Sequence, residues 1–199
     1  MRVPLIGRFN VANSMAALAA ACSMGINLRE AILSLSRSPQ VPGRLEAVPA
    51  KRQFQVFVDY AHSDDALLNV LKTLRELSPR RLIVVFGCGG DRDRQKRPLM
   101  GRVVDQNADY GIITSDNPRK EDPEAIIADV EKGFRSDHYE KISDRAKAIA
   151  RAIELAQPRD IVLIAGKGHE AYQEFADHTV PFDDIQVARR ALEDRPLEF

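Results

Sequence analysis

The strongest constraint on the fold is a regular alternation of strand-like and helix-like segments after about residue 50. Strands are predicted at 54–60, 82–87, 110–114, 139–142 and 160–165, with a weak one at 178–182, and helices at 64–77, 98–107, 123–134, 144–156 and 184–193. Such alternation is typical of βαβ units, because neighbouring parallel strands need a crossover that a helix usually supplies. We therefore predict an α/β fold, with a mainly parallel sheet of about six strands and helices on both faces.

Two of the predicted strands are almost entirely apolar. They read Leu-Ile-Val-Val-Phe at 82–86 and Ile-Val-Leu-Ile-Ala at 161–165. A strand that alternates between apolar and polar residues has one solvated face, whereas a continuous apolar run fits a strand covered on both sides. These two strands are therefore predicted to be central.

The residues before Pro49 follow a different pattern. Asn10 is a plausible N-cap for an Ala-rich helix from about residue 11 to 24, and Gly25 suits the position just past its end. A second helix, at about 28–36, follows Asn27, and a turn-rich stretch leads on to Gly43. Two short helices bury little apolar surface, so we predict that residues 1–48 are the end of one domain and residues 49–199 form the next.

Composition excludes some classes of function. The 29 Lys and Arg residues balance the 29 Asp and Glu residues, so no basic field exists to attract nucleic acid or an anionic membrane. The longest apolar runs are strand-sized, and the amino terminus has no apolar core typical of a secretory signal. Cys22 and Cys88 are the two cysteines. They are predicted to be reduced core residues of a cytoplasmic protein.

Polar residues cluster directly after four of the predicted strands. These loops are Asp59-Tyr60-Ala61-His62, Gly87-Cys88-Gly89-Gly90-Asp91-Arg92-Asp93, Ser115-Asp116-Asn117-Pro118-Arg119 and Gly166-Lys167-Gly168-His169-Glu170. Ligands of an open parallel sheet gather at the carboxyl ends of its strands. We therefore expect the four loops to meet at one edge and form a ligand site.

Each loop also has a purely structural interpretation. Helix capping, tight turns or exposure to solvent would explain each of these residues taken singly. The residues concerned are Asp59 and His62, the glycines at 87, 89 and 90, the 116–119 turn, Lys167 and His169, and the basic cluster Arg92, Arg94, Lys96 and Arg97. The spacing Gly-x-Gly-Gly does not match the dinucleotide fingerprint, and Asp109 precedes a strand instead of ending one. A nicotinamide site is therefore disfavoured.

The residue types in these loops suit a zwitterionic ligand. Arg92 and Arg119 offer planar forks for carboxylates, and Asn117 can donate and accept hydrogen bonds. Glu170 supplies a negative partner for an ammonium group. The combination predicts an amino acid that carries extra charge at its far end.

Taken in order, the motifs resemble those of the Mur ligases, and within them the ligases that add meso-diaminopimelate. The matching segments are Asp-Tyr-Ala-His, Gly-Cys-Gly-Gly-Asp-Arg-Asp, Lys-Arg-Pro-Leu-Met, Asp-Asn-Pro-Arg and Gly-Lys-Gly-His-Glu. The likeness covers nearly the whole chain. It implies that residues 7–13 and the helix after them close the family's central ATPase domain, and that the later motifs lie in its Rossmann-like C-terminal domain.

The resemblance also implies roles for individual residues. The amino-acid pocket would comprise Arg92, Asp116, Asn117, Pro118, Arg119, Gly166 and Glu170. Arg119, helped by Asn117, would bind the distal carboxylate of diaminopimelate, and Gly166 and Glu170 would bind its distal amino group. Lysine-adding relatives carry a different tetrad at 116–119, so the tetrad favours diaminopimelate.

The ATP site is implied in the same way. Asn10 and Asn13 match positions on the adenine side, and Arg44 and Asp59 match groups that contact the phosphates and ribose. His62 and Lys96 lie in matched motifs without an assigned role. No catalytic residue and no metal ligand is assigned.

Two departures from the family pattern limit the expected activity. Ser63-Asp64 stands where the family usually has Thr-Pro, and proline at a helix start only presets φ, so a small effect on stability is expected. The G-x-x-G-K-[ST] phosphate loop is missing, as are the central domain's magnesium ligands, its modified lysine and the nucleotide-sugar domain. ATP and Mg²⁺ would serve the full-length ligase, whereas this polypeptide alone is expected to be inactive.

Two other functions remain open at the sequence level. One is a related ligase that adds lysine, or that adds glutamate in the folylpolyglutamate manner. The other is a non-catalytic Rossmann-like binding module or a nucleotide-binding domain of an oxidoreductase. The expected partners are small-molecule substrates, namely diaminopimelate, the UDP-N-acetylmuramoyl dipeptide and ATP. The balanced charge predicts neither nucleic acid nor membrane as a partner.

Overall fold

The computed structural model describes residues 3–196. The chain separates into two compact units, Met1–Val41 and Pro42–Phe199. Within the described residues no helix combines the length and the apolar character needed to cross a bilayer. The predicted boundary after residue 48 refers to family domains and stays a prediction.

The first unit contains two helices, α1 (Arg8–Ser23) and α2 (Leu28–Ser36). The predicted N-cap Asn10 was wrong: Gly7 caps α1 with a φ of 100°, and Asn10 lies in the first turn, where its Nδ2 donates to Ile6 O at 2.7 Å. The helix starts earlier because glycine readily adopts this positive φ.

The end of α1 and the start of α2 agree with the prediction. Gly25, with a φ of 83°, follows the C-cap of α1. The Asn27 side chain accepts a hydrogen bond from Arg29 N at 2.9 Å and caps α2. The expectation that Cys22 lies in a core was wrong, because it is exposed on α1, whereas Cys88 is buried and both are free thiols.

The second unit contains the predicted alternation. Its elements are β1 (Glu46–Ala47), β2 (Gln55–Asp59), α3 (Asp64–Arg75), β3 (Leu82–Phe86), α4 (Lys96–Asn107), β4 (Tyr110–Ile113), α5 (Pro123–Glu131), β5 (Tyr139–Lys141), α6 (Arg145–Leu155), β6 (Ile161–Ala165), β7 (Tyr172–Glu174), β8 (Thr179–Pro181) and α7 (Asp184–Asp194). Two strands were not predicted. Strand β1 has two residues, and β7 has three residues that form a separate antiparallel hairpin with β8. Strands this short show no clear apolar pattern in the sequence.

The main sheet has six strands in the order β1-β2-β6-β3-β4-β5. Strand β1 is antiparallel to β2, and the other neighbours are parallel. This confirms the predicted mainly parallel sheet of six strands. The last strand of the main sheet, β6, is inserted between β2 and β3, so the loops that follow β2, β6, β3 and β4 belong to four consecutive strands.

Apolar layers lie on both faces of the sheet. Helices α6 and α7 pack together, and α3, α4 and α5 pack in sequence. The α6 and α7 face includes Val56, Val58, Ile83, Val85, Val162, Ile164, Ile149 and Ile153. Side chains alternate along a strand, so Phe57, Val84 and Leu163 turn to the opposite face, and all three are buried.

Strands β3 and β6 are covered on both faces of the sheet. Every residue of β3 and β6 is buried, as the sequence predicts. Removing a Leu or Ile side chain from water contributes about 1.5–3 kcal/mol, before the loss of conformational entropy. Burial on both faces therefore fixes the carboxyl ends of these strands, from which the polar loops emerge.

Candidate functional site

The four polar loops meet at the carboxyl edge of the sheet, as predicted. Gly166 N donates to Asp59 O at 3.1 Å and joins the loops after β6 and β2. Gly90 N donates to Asn117 O at 2.9 Å and joins the loops after β3 and β4. These backbone bonds bring loops far apart in sequence into one polar cluster.

Lys167 lies at the centre of the cluster. Its side chain has no exposed area, and its Nζ donates to Asn117 Oδ1 at 2.7 Å. It also forms ion pairs with Asp116 Oδ1 at 3.1 Å and with Glu170 Oε2 at 3.6 Å. The interpretation of Lys167 as a solvated loop residue was therefore wrong, because the position of β6 directs its side chain across the sheet edge.

Asn117 links the loop after β6 to strand β7. Its Oδ1 accepts hydrogen bonds from Lys167 Nζ and from Glu174 N at 3.0 Å, and its Nδ2 donates to Glu170 Oε2 at 3.1 Å. The residue is buried, as is Asp116 before it. Asp116 Oδ1 meets Lys167 as an ion pair but has no directed hydrogen-bond partner.

Glu170 forms the more accessible negative end of the cluster. Its side chain is 22 % exposed, and Tyr60 Oη donates to its Oε1 at 3.4 Å. Burial and the negative charge of Glu170 raise the pKa of Tyr60, so the hydroxyl stays protonated as a donor. Glu170 is thus held by three residues and still reaches solvent.

Arg119, in the loop after β4, has a strained backbone conformation. Its φ is 49°, a left-handed value that residues with side chains rarely adopt. Its N donates to Glu174 O at 3.1 Å, its Nε pairs with Glu174 Oε2 at 2.8 Å, and its Nη1 donates to Gly90 O at 2.9 Å. These contacts use two guanidinium nitrogens and hold the fork in one orientation.

Arg92 lies beside Arg119. A Cβ added at Gly89 would lie 3.0 Å from Arg119 Nη1 and 3.8 Å from Arg92 Cγ, so the two arginines flank this glycine. Arg92 is exposed, and its Nη1 lies 3.4 Å from Asp91 O. The structure therefore brings the side chains of both arginines next to Gly89.

The basic cluster at 92–97 does not act as one surface. Arg97 is buried and donates to Glu121 Oε1 at 2.8 Å and to Asp129 Oδ2 at 3.1 Å. The hydrogen bond from Arg97 lowers the pKa of Glu121 to about 2. Arg97 thus ties α4 to α5 and to the loop before it, and its interpretation as part of a solvated basic cluster was wrong.

Lys96 and His62 lie together at the margin of the site. Lys96 Nζ donates to His62 O at 3.2 Å, which ties the start of α4 to the loop after β2. His62 is exposed, and its Nδ1 lies 2.8 Å from Tyr60 O. Neither side chain contacts the Lys167 cluster in these bonds.

Asp59 has a backbone-holding role. Its Oδ2 accepts from Leu45 N at 2.7 Å and its Oδ1 from Ala61 N at 2.8 Å. Burial raises its pKa, although these two bonds and Arg44 oppose the rise. It does not cap α3, since Ser63 does so by accepting from Ala66 N at 3.3 Å.

Arg44 reaches the site through a tight turn. Its guanidinium lies 5.0 Å from the centre of the Tyr60 ring, a cation–π contact. Gly43 has a φ of 64°, and a Cβ there would lie only 2.2 Å from His169 N. The turn and the loop after β6 therefore pack backbone against backbone.

The remaining predicted ATP residues lie in the first unit. Asn13 Nδ2 donates to Asn10 Oδ1 at 3.2 Å, so these two side chains are neighbours on α1. In the second unit, Arg44 and Asp59 flank Leu45. In the part of the chain that the structure describes, no group of three or more His, Cys, Asp or Glu side chains is placed to hold a metal ion.

A further buried ion pair lies beside Gly166 and was not predicted. Neither Arg145 nor Asp184 has exposed side-chain area, and they form bonds of 2.8 and 2.7 Å through Nε and Nη2. A Cβ at Gly166 would lie 3.9 Å from Arg145 Nη2. The pair joins the start of α6 to the start of α7, 39 residues apart, so no local sequence signal reveals it.

The buried charges do not balance. Two cations, Lys167 and Arg145, face three carboxylates, Asp116, Glu170 and Asp184. One net negative charge remains, and Glu170 is the carboxylate among them that is most open to solvent. The Glu170 side of the cluster suits a ligand ammonium, whereas the guanidinium groups of Arg92 and Arg119 suit a carboxylate.

The chain is also similar in sequence to known proteins. Residues 43–168 match the family model described as "Mur ligase, glutamate ligase domain". The chain is 50% identical over 190 residues to the UDP-N-acetylmuramoyl-L-alanyl-D-glutamate–2,6-diaminopimelate ligase of Coxiella burnetii, covering 95% of this chain and 39% of the relative. It is also 50% identical over 195 residues to the ligase of the same name from Halalkalibacterium halodurans, covering 98% and 40%. The chain thus spans about two fifths of the length of these relatives.

Solved structures show the same fold. A UDP-N-acetylmuramoyl-L-alanyl-D-glutamate–2,6-diaminopimelate ligase aligns with a TM-score of 0.77 and 46% identity, over 97% of this chain and 40% of that one. The UDP-N-acetylmuramate–alanine ligase of Thermotoga maritima aligns with a TM-score of 0.66 and 21% identity, over 96% and 38%, a likeness of fold alone. On the family match, the chain belongs to the Mur ligase family.

Proposed function

We propose that this chain forms the amino-acid-binding part of an ATP-dependent ligase, and that the amino acid is meso-diaminopimelate. The second substrate would be UDP-N-acetylmuramoyl-L-alanyl-D-glutamate, as in the names of the relatives that are about 50% identical. The activity belongs to peptidoglycan synthesis. Both cysteines are free, which fits a reducing cytoplasm as the place of reaction.

The pairing of opposite charges across one pocket carries the proposal. In the proposed pocket, Glu170 and Gly166 would line one wall and Arg92 and Arg119 the other. Asn117, which donates to Glu170 Oε2 and lies two residues before Arg119, would lie between them. Diaminopimelate carries an ammonium and a carboxylate at each end. We assign its distal carboxylate to the two arginines and Asn117, and its distal ammonium to Glu170 and the backbone at Gly166.

Asp116 and Pro118 support this arrangement from within the tetrad. Asp116 pairs with Lys167 below the pocket, and Pro118 O lies against Gly90, where an added Cβ would come within 1.9 Å. The two residues thus hold the turn that presents Asn117 and Arg119. They shape the pocket, and direct contact with the ligand falls to their neighbours.

The same geometry accounts for selectivity. Lysine has the distal ammonium but no distal carboxylate, so its binding would leave Arg92 and Arg119 without a ligand carboxylate, although Glu174 would still pair with Arg119. A site built to pair with a polar group rejects an analogue that lacks the group, because desolvated donors are left unpaired. Glutamate lacks the distal ammonium, so its binding would leave the net negative charge of the cluster around Glu170 without a ligand cation.

In the proposed reaction, ATP transfers its terminal phosphoryl group to the side-chain carboxylate of the D-glutamate residue. The diaminopimelate amine then attacks the resulting acyl phosphate, an amide bond forms and inorganic phosphate leaves. The pocket would contribute orientation, because holding the amine near the acyl carbon converts an encounter between molecules into a local step. Asn10, Asn13, Arg44 and Asp59 are proposed to contact ATP.

Mg²⁺ would supply charge stabilisation for the phosphoryl oxygens when bound. Residues 3–196 offer no cluster of carboxylate, imidazole or thiolate ligands for it. We therefore assign no magnesium ligand to the described residues. His62 and Lys96 also receive no chemical role, since their bonds hold loop backbone.

Titration calorimetry of this chain tests the proposal. We expect meso-diaminopimelate to bind, and L-lysine and L-glutamate to bind at least about tenfold more weakly, since an unpaired charged donor costs more than 1.4 kcal/mol. Arg119→Ala should abolish the difference between diaminopimelate and lysine, whereas Arg102→Ala, an exposed arginine on α4, should leave it intact. Preference for lysine, or absence of diaminopimelate binding, would refute the assignment.

A further inference from the structure

We propose that Lys167 is a positioning residue that sets the preference of the pocket for a zwitterionic over a cationic amino acid. The inference rests on the proposed function and adds a residue to it. Lys167 touches Asp116, Asn117 and Glu170, and it is buried beneath all three. It would act through them and not by touching the ligand.

The position of Lys167 in the sheet makes this role possible. It follows β6, whereas Asp116 and Asn117 follow β4, and β3 lies between the two strands. Two strand spacings are roughly 10 Å, which only a long side chain on one side can bridge to a short one on the other. Lys167 therefore fixes the distance between the tetrad and the loop that carries Glu170.

Lys167 also decides which way the Asn117 amide points. Asn117 Oδ1 accepts from two donors, Lys167 Nζ at 2.7 Å and Glu174 N at 3.0 Å. The opposite orientation would place the Nδ2 donor against both of them. The observed orientation leaves Nδ2 facing the pocket, where it donates to Glu170 Oε2 at 3.1 Å.

The charge of Lys167 sets how negative the cluster beneath the pocket is. With Lys167 present, the cluster of Lys167, Arg145, Asp116, Glu170 and Asp184 carries one net negative charge. Without it, the net charge becomes two negative. A second uncompensated carboxylate attracts a ligand with a net positive charge more strongly than a neutral zwitterion. Lysine carries a net charge of +1 at neutral pH and diaminopimelate carries none, so the preference should move towards lysine.

A set of variants separates this role from general stability. Lys167→Met removes the charge, Lys167→Met with Asp116→Asn restores the net charge of the cluster, and Lys72→Met is the matched control. Lys72 is exposed near the end of α3, towards the opposite edge of the sheet. Affinities for meso-diaminopimelate and L-lysine are measured by competition calorimetry, with far-UV circular dichroism to verify folding.

For Lys167→Met we expect the ratio of diaminopimelate to lysine affinity to fall at least about tenfold (about 1.4 kcal/mol). The double variant should recover most of the ratio while diaminopimelate itself stays weaker than in the parent chain, because Asn117 remains unheld. Lys72→Met should change neither value. Asp116→Asn alone should weaken lysine relative to diaminopimelate, and it tests the charge argument if Lys167→Met fails to fold.

A ligand-free measurement keeps this inference separate from the proposed function. In ¹⁵N NMR spectra, the Asn117 side-chain amide should exchange slowly in the parent chain and rapidly in Lys167→Met. A parent chain that does not bind diaminopimelate refutes the proposed function, while the Asn117 signals still test the positioning. An unchanged affinity ratio together with unchanged Asn117 exchange in Lys167→Met would overturn the inference.

Discussion

Breaking the buried pair of Arg145 and Asp184 should cost far more stability than breaking an exposed pair of similar geometry. Neither side chain has exposed area. Asp184 accepts hydrogen bonds from Arg145 Nε at 2.8 Å and from Arg145 Nη2 at 2.7 Å. Burial alone would lower the pKa of Arg145, but the charge and hydrogen bonds of Asp184 outweigh it and raise the pKa. Asp184→Asn would therefore leave a buried guanidinium that cannot neutralise itself.

The expected magnitude follows from these contacts. Removing one partner of a buried pair costs about 3–5 kcal/mol. Arg145 keeps a bond from Nη2 to Ala165 O at 3.0 Å and the more distant attraction of Asp116 and Glu170, so we expect the lower end, about 3 kcal/mol. With a urea dependence of about 2 kcal/mol per molar, the unfolding midpoint should fall by about 1.5 M.

Urea titration followed by far-UV circular dichroism measures this midpoint, and hydrogen exchange of the β6 amides assigns the loss to the second unit. Glu140→Gln is the control, since the Arg151–Glu140 pair has a bond of 3.0 Å but side chains that are 38% and 27% exposed. It should cost less than about 1 kcal/mol. Arg145→Met with Asp184→Leu should regain most of the stability, because no charge is left buried. Equal midpoint shifts for Asp184→Asn and Glu140→Gln would refute the reasoning.

Four further outcomes follow from the structure. At pH 8 iodoacetamide should label exposed Cys22 and spare Cys88, because burial raises the pKa of the Cys88 thiol to about 12; equal labelling by mass spectrometry would contradict this. Gly43→Ala should weaken diaminopimelate binding in calorimetry, since its Cβ would lie 2.2 Å from His169 N at a φ of 64°, and an unchanged affinity would argue against a rigid turn. The pKa of Glu121 is lowered from 4.5 to about 2, so its stabilisation is complete above pH 4.5 and is lost as the pH falls towards 2; Glu121→Gln should flatten the decline of the urea midpoint in that window. The 199-residue chain incubated with ATP, Mg²⁺, diaminopimelate and the nucleotide dipeptide should release no phosphate, because its sequence contains no G-x-x-G-K-[ST] loop, and measurable release would refute this.

The unpredicted parts of the site share a physical cause. Lys167 looks like any loop lysine in the sequence, and its burial depends on β6 entering the sheet between β2 and β3. Glu174 pairs with Arg119 because the β7–β8 hairpin brings it there, a placement that no local pattern encodes. The burial of Arg97 was not predicted for a similar reason, since its partners Glu121 and Asp129 are 24 and 32 residues away in the sequence.

What the sequence determined by itself is the alternation of strands and helices and the polar character of the strand ends. Those features are local: a strand of five apolar residues such as 82–86 is buried whichever neighbour it takes, and the loop after it must lie at the sheet edge. The strand order was decided only by tertiary packing, and with it the choice of which loops meet. That order turned Lys167 inward and fixed the Asn117 amide between Lys167 and Glu170, because these contacts depend on side chains that meet across neighbouring strands.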